Sequence, residues 1–418
     1  MKGKVLRRRW LIFFIFSAQY LLLYLHRVCP AVLAPELVRD FLISGVSLGV
    51  LTSAYYYPYA LMQLPIGMIC DKWGARKTAT IFGFVAAFGS IVFGLSSNFN
   101  VAVLSRIVLG FGFSAIFIPA MTVFGTWFKK EEYARVSGTF MAIGTIGWYL
   151  GTSPVAIASE IVGWRGIFVF IALITTIFAL FTWFMVRDTP PRENNPNITK
   201  HPLPVSNEEN RTIRRIFCEK SFCLMLLWFL FRVGILFGFF GLWAGLYLMD
   251  IQGCTKACAA NILSMIPFAI IVGSPLLGYL SDRVFRSRKK ILVGSAAALS
   301  LCWLIMLWCM EFLPVSILYV IFFVMGMACG APASVGFSLV KELFPGNLAG
   351  TCIGIVNLAG FLGGAISQPF IGYLLDASGQ VNGAYSMSSY RNVFQILFIF
   401  SIVVLASALF VKETLHEK

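Results

Sequence analysis

An arginine stands in the middle of an apolar stretch near the start of the chain: Arg27 in YLLLYLHRVCPAVLAPEL (20–37). At helical spacing its side chain shares a face with Tyr20, Tyr24 and Ala31, and hydroxyl groups beside a small residue suit the wall of a cavity. A guanidinium is a planar, permanently charged fork that binds a carboxylate or a phosphate through two parallel hydrogen bonds. The pattern therefore indicates a site for an anion.

Two more arginines lie within apolar stretches: Arg232 in FLFRVGILFGFF (229–240) and Arg106 in RIVLGFG (106–112). Two arginines that face each other across a cavity would hold an anion from both sides. The alternative is structural, since each guanidinium can instead pair with a carbonyl at a helix end or with a carboxylate such as Glu36.

The composition determines the kind of element that must position these residues. Of the 418 residues, 59% are hydrophobic and 12% are charged, whereas roughly a quarter of the residues of soluble domains are charged. This balance excludes a water-soluble fold. Apolar runs of about 20 residues recur along the chain, which is the length that a helix needs to cross a bilayer, and they lack the alternation typical of barrel strands.

We therefore expect an all-α membrane protein with twelve transmembrane helices. The predicted limits of the spans are 10–38, 46–69, 78–97, 100–127, 136–160, 165–187, 220–250, 259–281, 290–310, 314–343, 349–376 and 392–411.

The net charge of +15 is distributed unevenly among the predicted loops. Only four basic residues fall in odd-numbered loops, namely Arg39, Arg165, Lys256 and Arg391, whereas most of the others lie at the termini and in even-numbered loops. This asymmetry predicts a multi-pass protein of the inner or plasma membrane with both termini in the cytoplasm. The basic excess is thus a topology signal, and no nucleic-acid partner is expected.

Two loops at corresponding positions resemble each other. GMICDKWGARK (67–77) aligns with GYLSDRVFRSRKK (278–290), which brings Asp71 onto Asp282. Such an internal repeat predicts two parallel groups of six helices, with the substrate site between them near mid-membrane.

A polar segment rich in Pro, Asn and charge separates the two groups. We predict an N-terminal half at 1–187, a cytoplasmic linker at 188–219 and a C-terminal half at 220–418.

These motifs resemble those of the major facilitator superfamily. The Gly-x-x-x-Asp-x-x-Gly-x-Arg-Lys loop after the second span is similar to the signature loop of the family, and its degenerate copy follows the eighth span. RIVLGFG (106–112) resembles the family's fourth-span motif, and GWRGIF (163–168) before the sixth span is also similar. The resemblance covers essentially the whole chain and implies the twelve-helix fold of two six-helix pseudo-repeats.

Two branches of the superfamily are most similar. RVGIL (232–236), SDRVFR (281–286) and VRDTP (186–190) resemble the organophosphate:phosphate antiporters. The arginine late in the first span, followed by PAVLAPEL (30–37), resembles the anion:cation symporters. Both branches handle anions.

The resemblance also implies roles for the three arginines. Arg27 and Arg232 match the pair with which the antiporters grip phosphate from both halves. The arginine that matches Arg106 is tied to proton handling and to packing of the fourth span, so we assign Arg106 to gating, with substrate contact as the alternative.

The signature loop has a mechanical interpretation. Asp71 can accept hydrogen bonds from the N-terminus of a neighbouring helix and pair with Arg76 or Lys77, which would hold the cytoplasmic gate shut in an outward-facing state. The glycines of the loop permit close approach and a tight turn. The loop residues expected in gating are Gly67, Asp71, Gly74, Arg76, Lys77 and Asp282.

His26 is the candidate for proton coupling, because imidazole titrates near physiological pH. Adjacent helix positions lie about 100° apart, so His26 need not face the cavity, and a packed neutral histidine is the alternative. No Asp or Glu stands in the middle of a span. Anion exchange, coupling through His26 and uncoupled transport therefore all stay open.

Further residues of the predicted cavity wall are aromatic or polar. Packing within the bundle or a place at the membrane interface is the alternative for each of them. The candidates for substrate binding, besides the two arginines, are Tyr24, Tyr56, Tyr59, Trp148 and Asn357.

The expected function is secondary active transport of a small organic anion, a carboxylate or organophosphate, by alternating access with protons or a counter-anion as the coupled partner. The alternatives are an exporter of amphipathic compounds such as drugs or siderophores, and a receptor or channel that uses the same fold. We expect no enzyme, cofactor or metal, and membrane lipids as the surroundings. The chain contains no Gly-x-x-x-x-Gly-Lys-Ser/Thr loop for ATP. An oxidised Cys254–Cys258 pair stays open, since these are the cysteines that lie in an outer loop.

Overall fold

The computed structural model describes residues 2–190, 216–344, 346–381 and 384–415. Among these residues, ten helical stretches are long and apolar enough to cross a membrane. The predicted second span is divided into three short helices, and one long helix continues from the fifth span into the sixth. The all-α membrane fold is confirmed, and the arrangement is consistent with twelve spans. Most of the predicted linker (188–219) lies outside the described residues.

The first six spans are built from consecutive helices. They are Lys2–Val28 and Pro30–Phe41 in the first span, Gly45–Ser53, Tyr56–Leu61 and Gln63–Trp73 in the second, Ala75–Leu95 in the third, Phe99–Phe113 and Phe117–Trp127 in the fourth, Lys130–Leu150 in the fifth, and Ser153–Met185, which completes the fifth span and forms the sixth.

The last six spans include two stretches of π-helix. They are Lys220–Val233, the π-helix Gly234–Trp243 and Ala244–Asp250 in the seventh, Lys256–Leu263, Met265–Tyr279 and the π-helical Leu280–Val284 in the eighth, Arg288–Cys309 in the ninth, Val315–Cys329 and Ala333–Glu342 in the tenth, Gly346–Ala377 in the eleventh, and Met387–Phe410 in the twelfth.

Two differences from the predicted elements stand out. The first helix begins at Lys2 and not at residue 10. Before the twelfth span, Gln380–Val381 and Ala384–Tyr385 pair as a short antiparallel hairpin. Runs of two residues are too short to carry a strand pattern.

Glycines make the sharp turns of the N-terminal half. Gly74 has φ 81° and separates the second span from the third, and Gly163 has φ 69° at the kink inside Ser153–Met185. Side chains disfavour this conformation, so glycine is the natural residue at both positions. The tight turn predicted at Gly74 is confirmed.

The first and last described residues, Lys2 and Leu415, lie at one end of the bundle, called here the terminal end, together with the turns after the even-numbered spans. A carboxylate that follows the last span of each half caps a helix there. Asp188 accepts a hydrogen bond from the backbone N–H of Arg76 (2.7 Å), and Glu413 accepts from the hydroxyl of Ser287 and the backbone N–H of Arg288 (3.0 Å). These carboxylates complement the positive ends of the third and ninth spans.

The opposite end, called here the far end, is closed by contacts between the second and eleventh spans. The carboxylate of Asp376 accepts hydrogen bonds from the backbone N–H groups of Gly45 (2.9 Å) and Val46 (2.8 Å), at the start of the second span. A Cβ on Gly49 would overlap the backbone of the eleventh span, and one on Gly372 would overlap that of the second. Small residues thus let the two helices touch.

Polar contacts close the far end on the other side of the bundle as well. Lys256, at the start of the eighth span, bridges to Glu36 of the first span and to Ser159 of the fifth. Ser153 donates to the side chain of Asn261 (2.7 Å).

The terminal end differs, because the second, fifth, eighth and eleventh spans are separated there. Outside its own helix, no atom of the described residues lies within 4 Å of the place that a Cβ would take at Gly67, Gly138, Gly278 or Gly350. The structure is therefore closed at the far end and open at the terminal end.

Replacement of Glu413 by Gln tests the capping interaction. Burial by itself would raise the pKa of Glu413, but the hydrogen bonds from Ser287 and from backbone N–H groups outweigh it and hold this pKa below its ordinary value. The charge therefore contributes stability above the ordinary pKa of about 4.3, and this contribution is lost as the pH falls through the lowered value.

We expect Glu413→Gln to reduce the free energy of unfolding by about 0.3–1 kcal/mol at pH 7, measured by thermal unfolding of the purified protein. The difference from the unsubstituted protein should shrink below about pH 4.5. Glu160→Gln is the matched control, because Glu160 is exposed and makes no hydrogen bond or ion pair among the described residues. A difference that grows as the pH falls would contradict the assignment.

Candidate functional site

Aromatic rings surround the guanidinium of Arg27. The side chain is 2% exposed, and its Cζ atom lies 4.6 Å from the ring centroid of Tyr59, 4.8 Å from that of Phe361 and 4.9 Å from that of Tyr24. Among the residues that the structure describes, the rings within 6.0 Å are Tyr24, Tyr55, Tyr56, Tyr59, Phe237 and Phe361. They come from the first, second, seventh and eleventh spans, so both halves contribute to this aromatic cage.

One edge of the Arg27 guanidinium is open in the sense that its N–H groups have no hydrogen-bond partner among the described residues. Its Nε and Nη2 atoms are buried and have no hydrogen-bond partner among the described residues. These two nitrogens form the side of the fork that a carboxylate engages with two parallel hydrogen bonds. Glu36, the carboxylate suggested as a structural partner, binds Lys256 instead. The structure thus presents a desolvated cation without a counter-ion.

The rings of the aromatic cage continue into a second layer. Trp148 of the fifth span stacks on Phe237 (5.3 Å between centroids, 24° between planes), and Phe237 lies nearly parallel to Phe361 (6.0 Å, 12°). Asn357 is half-buried on the eleventh span and makes no hydrogen bond with the described residues. Of the predicted site residues, Tyr24, Tyr56 and Tyr59 contact Arg27, and Trp148 stands behind them.

Arg232 occupies different surroundings. Its Nη1 donates to the carbonyl of Cys329, at the end of a helix of the tenth span, and its Cζ lies 4.6 Å from the ring of Trp228 and 5.3 Å from that of Phe229. None of these groups contacts Arg27. The predicted two-arginine clamp is not assembled in this structure, and Arg232 joins the seventh span to the tenth.

Arg106 also donates to backbone carbonyls. Its Nη1 binds the carbonyl of His26 (3.1 Å) and its Nη2 that of Thr52 (3.4 Å), so that it joins the first, second and fourth spans. The ring of Tyr55 lies 5.1 Å from its Cζ and also takes part in the aromatic cage. The structure gives Arg106 a place in helix packing directly beside the cage.

The side chain of His26 faces away from Arg27. Its ring contacts Phe113 of the fourth span (5.0 Å) and Phe168 of the sixth (5.7 Å), and it is fully buried. Neither ring nitrogen has a hydrogen-bond partner among the described residues. This is the packed position that the 100° offset between neighbouring residues allows.

The predicted pairing inside the signature loop is absent from this structure. Asp71 and Lys77 are exposed, and Asp71 makes no hydrogen bond or ion pair among the described residues. Arg76 places its Cζ 4.9 Å from the ring of Trp183, while its backbone N–H is bound by Asp188. Among the described residues, Asp71 therefore caps no neighbouring helix in this conformation.

The aspartate of the corresponding loop in the other half has an arginine partner. Asp282 bridges to Arg288, whose Nη2 also contacts Glu342 (3.0 Å). All three residues belong to the C-terminal half, so this network holds the half together and does not join it to the other.

The comparison with protein families identifies the fold. A model of the Major Facilitator Superfamily matches residues 12–307 and 259–418. The chain belongs to this superfamily.

Relatives of this major facilitator protein include transporters of small anions. It is 24% identical over 402 residues to a probable sulfoacetate transporter of Cupriavidus necator, covering 93% of this chain and 92% of that protein. It is 26% identical to a D-galactonate transporter of Escherichia coli (89% and 90% covered) and 23% identical to a phosphoglycerate transporter protein of Salmonella typhimurium (88% and 83%).

Solved structures show the same fold. A bacterial homologue of the human lysosomal transporter Spinster, in an inward-facing and occupied conformation, superimposes with a TM-score of 0.78 at 16% identity, over 96% of both chains. A nucleoside transporter superimposes with a TM-score of 0.77 at 15% identity, over 94% of this chain and 99% of that one.

Several residues around the site were not predicted from the sequence. Phe237 and Phe361 are ordinary apolar residues in apolar helices, and nothing in the sequence distinguishes them from packing residues. The capping role of Asp188 could have been predicted, because VRDTP (186–190) after the sixth span and VKETL (411–415) after the twelfth share one pattern, with a carboxylate in the third position.

The contrast between Arg27 and Arg232 predicts opposite responses to substitution by Met. We expect Arg232→Met to lower the free energy of unfolding by about 1–3 kcal/mol, because a buried carbonyl loses its donor. Arg27→Met should leave stability unchanged or raise it, since it removes a buried charge that has no counter-ion. Thermal unfolding of the purified, ligand-free variants measures both. Equal losses of stability would mean that Arg27 has a partner in the fold.

Proposed function

We propose that this protein is a secondary active transporter that moves a small organic anion, a carboxylate or an organophosphate, across the membrane. The observation that carries the proposal is the open Nε and Nη2 edge of Arg27 inside the aromatic cage. A buried guanidinium without a counter-ion favours an anion that arrives from outside the fold. The substrates for which the relatives are named agree with this chemistry, since sulfoacetate, D-galactonate and phosphoglycerate are all anions.

The two halves of the chain would move relative to each other during transport. We assign residues 1–187 and 220–418 to rigid halves that rock about the cage, and 188–219 to the connection between them. The terminal end lies in the cytoplasm, as the distribution of basic residues predicts, in an inner or plasma membrane. The described conformation is then open towards the cytoplasm.

Alternating access follows from the exchange of contacts between the two ends. At the far end Asp376, at the C-terminal end of the eleventh span, caps the start of the second span. Asp71 stands near the C-terminal end of the second span, where it would cap the start of the eleventh once the terminal end closes. The two helices run antiparallel, so each offers a carboxylate to the N-terminus of the other, at opposite ends of the molecule.

Transport would be driven by a gradient of protons or of a counter-anion. The apolar surroundings of His26, away from the cage, favour anion exchange over coupling through this residue. Uptake into liposomes with and without an imposed pH gradient distinguishes the two modes. A carrier that ignores the gradient but requires an anion inside the vesicle is an exchanger.

Substitution of Arg27 tests the anion site. Lys keeps the charge but lacks the planar fork, so we expect Arg27→Lys to weaken binding of the preferred anion by at least about tenfold and Arg27→Ala to abolish it. The measurement is thermal stabilisation of the purified protein by sulfoacetate, D-galactonate, D-glucarate and 3-phosphoglycerate. Arg39→Lys is the matched control, because that side chain is 76% exposed.

Stabilisation by an anion that survives Arg27→Ala would refute the assignment. An amphipathic cation that stabilises the protein regardless of Arg27 would favour the alternative, an exporter of amphipathic compounds.

Cross-linking between cysteines placed at the four glycines of the terminal end tests alternating access. If the terminal end closes by bringing the second span onto the eleventh, cysteines at Gly67 and Gly350 should approach each other in the closed state. In a variant without the native cysteines, we expect a short bifunctional thiol reagent to cross-link this pair and to stop uptake. Cysteines at Gly138 and Gly278 should behave in the same way for the fifth and eighth spans. A single cysteine at Gly67 is the control, and failure to cross-link either pair under any condition would count against the rocking motion.

A further inference from the structure

Two cysteines lie side by side at the far end, in the turn between the seventh and eighth spans. The sulfur atoms of Cys254 and Cys258 are 3.4 Å apart, and all ten cysteines of the chain are free thiols. Both side chains are half-buried, while Gly253 and Thr255, on either side of Cys254, are exposed. A reagent in the aqueous phase at this end can therefore reach the pair.

The backbone around the pair allows a bond between the two sulfur atoms, which a disulfide brings to about 2.05 Å from each other. Cys258 is the third residue of the helix Lys256–Leu263, and its backbone N–H donates to the side chain of the N-cap residue Thr255 (3.2 Å). Cys254 precedes this helix. It lies outside the helical backbone and can move towards Cys258.

The residue midway between the two cysteines joins the two halves of the protein. Lys256 bridges to Glu36 of the first span and donates to Ser159 of the fifth. The segment that carries Lys256 has its thiols in contact while the far end is closed. A covalent bond that keeps this shape reduces the entropy lost when the bridge forms. Oxidation of the pair and closure of the far end therefore favour each other, since coupling between two events is reciprocal.

We propose that Cys254 and Cys258 are a redox modification site, and that their disulfide favours the conformation closed at the far end. The inference rests on the proposed function in one respect, the placement of the far end outside the cytoplasm, where disulfides persist. The oxidised carrier is held open towards the cytoplasm, and the reduced carrier exchanges more readily between its two conformations.

The oxidant is a disulfide dissolved in the compartment outside the cytoplasm. Burial and the neighbouring Cys258 hold the pKa of Cys254 above its ordinary value, so Cys258 is the thiol that begins the exchange. Its sulfur attacks one sulfur of the external disulfide, which forms a mixed disulfide and releases one external thiol. The sulfur of Cys254 then attacks that of Cys258 and releases the second. The two cysteine protons end on the two released thiols, and the external disulfide gains the two electrons that the pair loses.

Two measurements on the full-length protein in lipid nanodiscs test the inference, after incubation with glutathione disulfide or with dithiothreitol. Peptide mass mapping shows whether a bond joins Cys254 to Cys258. Amide hydrogen exchange at residues 45–53 reports closure of the far end, because Asp376 caps this helix only while that end is closed. We expect exchange there to be at least about threefold slower in the oxidised protein.

Three variants separate the bond from its effect. Cys258→Ser cannot form the bond, so its exchange should be the same after either treatment. Cys309→Ser is the matched control, because Cys309 is an exposed thiol at the end of the ninth span, and this variant should respond as the unsubstituted protein does. Lys256→Gln should still be oxidised but should lose the effect on exchange, because its bridge to Glu36 is gone.

Each part of the inference has an outcome that overturns it. If both cysteines stay reduced or carry glutathione after oxidation, they are not a disulfide site. If the bond forms but exchange at residues 45–53 is unchanged or faster, the effect on the far end is wrong. If Lys256→Gln responds as the unsubstituted protein does, the role of Lys256 is wrong.

The result also distinguishes this inference from the function on which it rests. None of the measurements requires a substrate, so a redox response in a protein that binds no anion through Arg27 would refute the proposed function and support the redox site. If glutathione disulfide outside sealed right-side-out vesicles leaves the pair reduced, although it oxidises the pair in nanodiscs, the far end does not lie outside the cytoplasm and the inference fails with that placement.

Discussion

The arrangement of the core depends on one desolvated charge. Arg27 stands at the last turn of a helix in an apolar environment, and no carboxylate among the described residues balances it. Six aromatic rings take the place of water around its guanidinium. A cation over a ring is stabilised by about 0.5–2 kcal/mol, so rings from four spans offset a cost that no single span could meet. These rings come from both halves of the protein.

The other two buried arginines show how broken helices satisfy such charges. A helix that ends inside the bundle leaves carbonyl groups without an intrahelical donor, and its C-terminus carries partial negative charge. Arg106 binds carbonyls near the ends of Lys2–Val28 and Gly45–Ser53, and Arg232 binds the carbonyl that ends Val315–Cys329. These breaks therefore serve a purpose, because each provides acceptors at a depth where water is absent. Arg27 differs only in that no such carbonyl meets its open edge.

The large-scale features could be predicted because bulk hydrophobicity determines them. Continuous apolar runs predicted the spans, and the repeat that aligns Asp71 with Asp282 predicted the two-part plan of the superfamily. The local partners could not be predicted in the same way. Whether Arg232 faces Arg27 or a carbonyl depends on helix rotation, and the π-helix Gly234–Trp243 changes that rotation within a few residues of it. Phe237 and Phe361 acquire their role only from tertiary packing, whereas the turn at Gly74 was predictable because glycine alone tolerates its backbone conformation.

A charge without a counter-ion also links the lifetime of the protein to its surroundings. A ligand that binds only the folded state stabilises it by about 2.7 kcal/mol at a hundred times its dissociation constant. The empty carrier lacks this stabilisation by a ligand, so it opens more often and exposes more of its chain to proteases than the occupied carrier does. The amount of this protein in the membrane would then rise when its substrate is abundant and fall when it is scarce, without any change in synthesis.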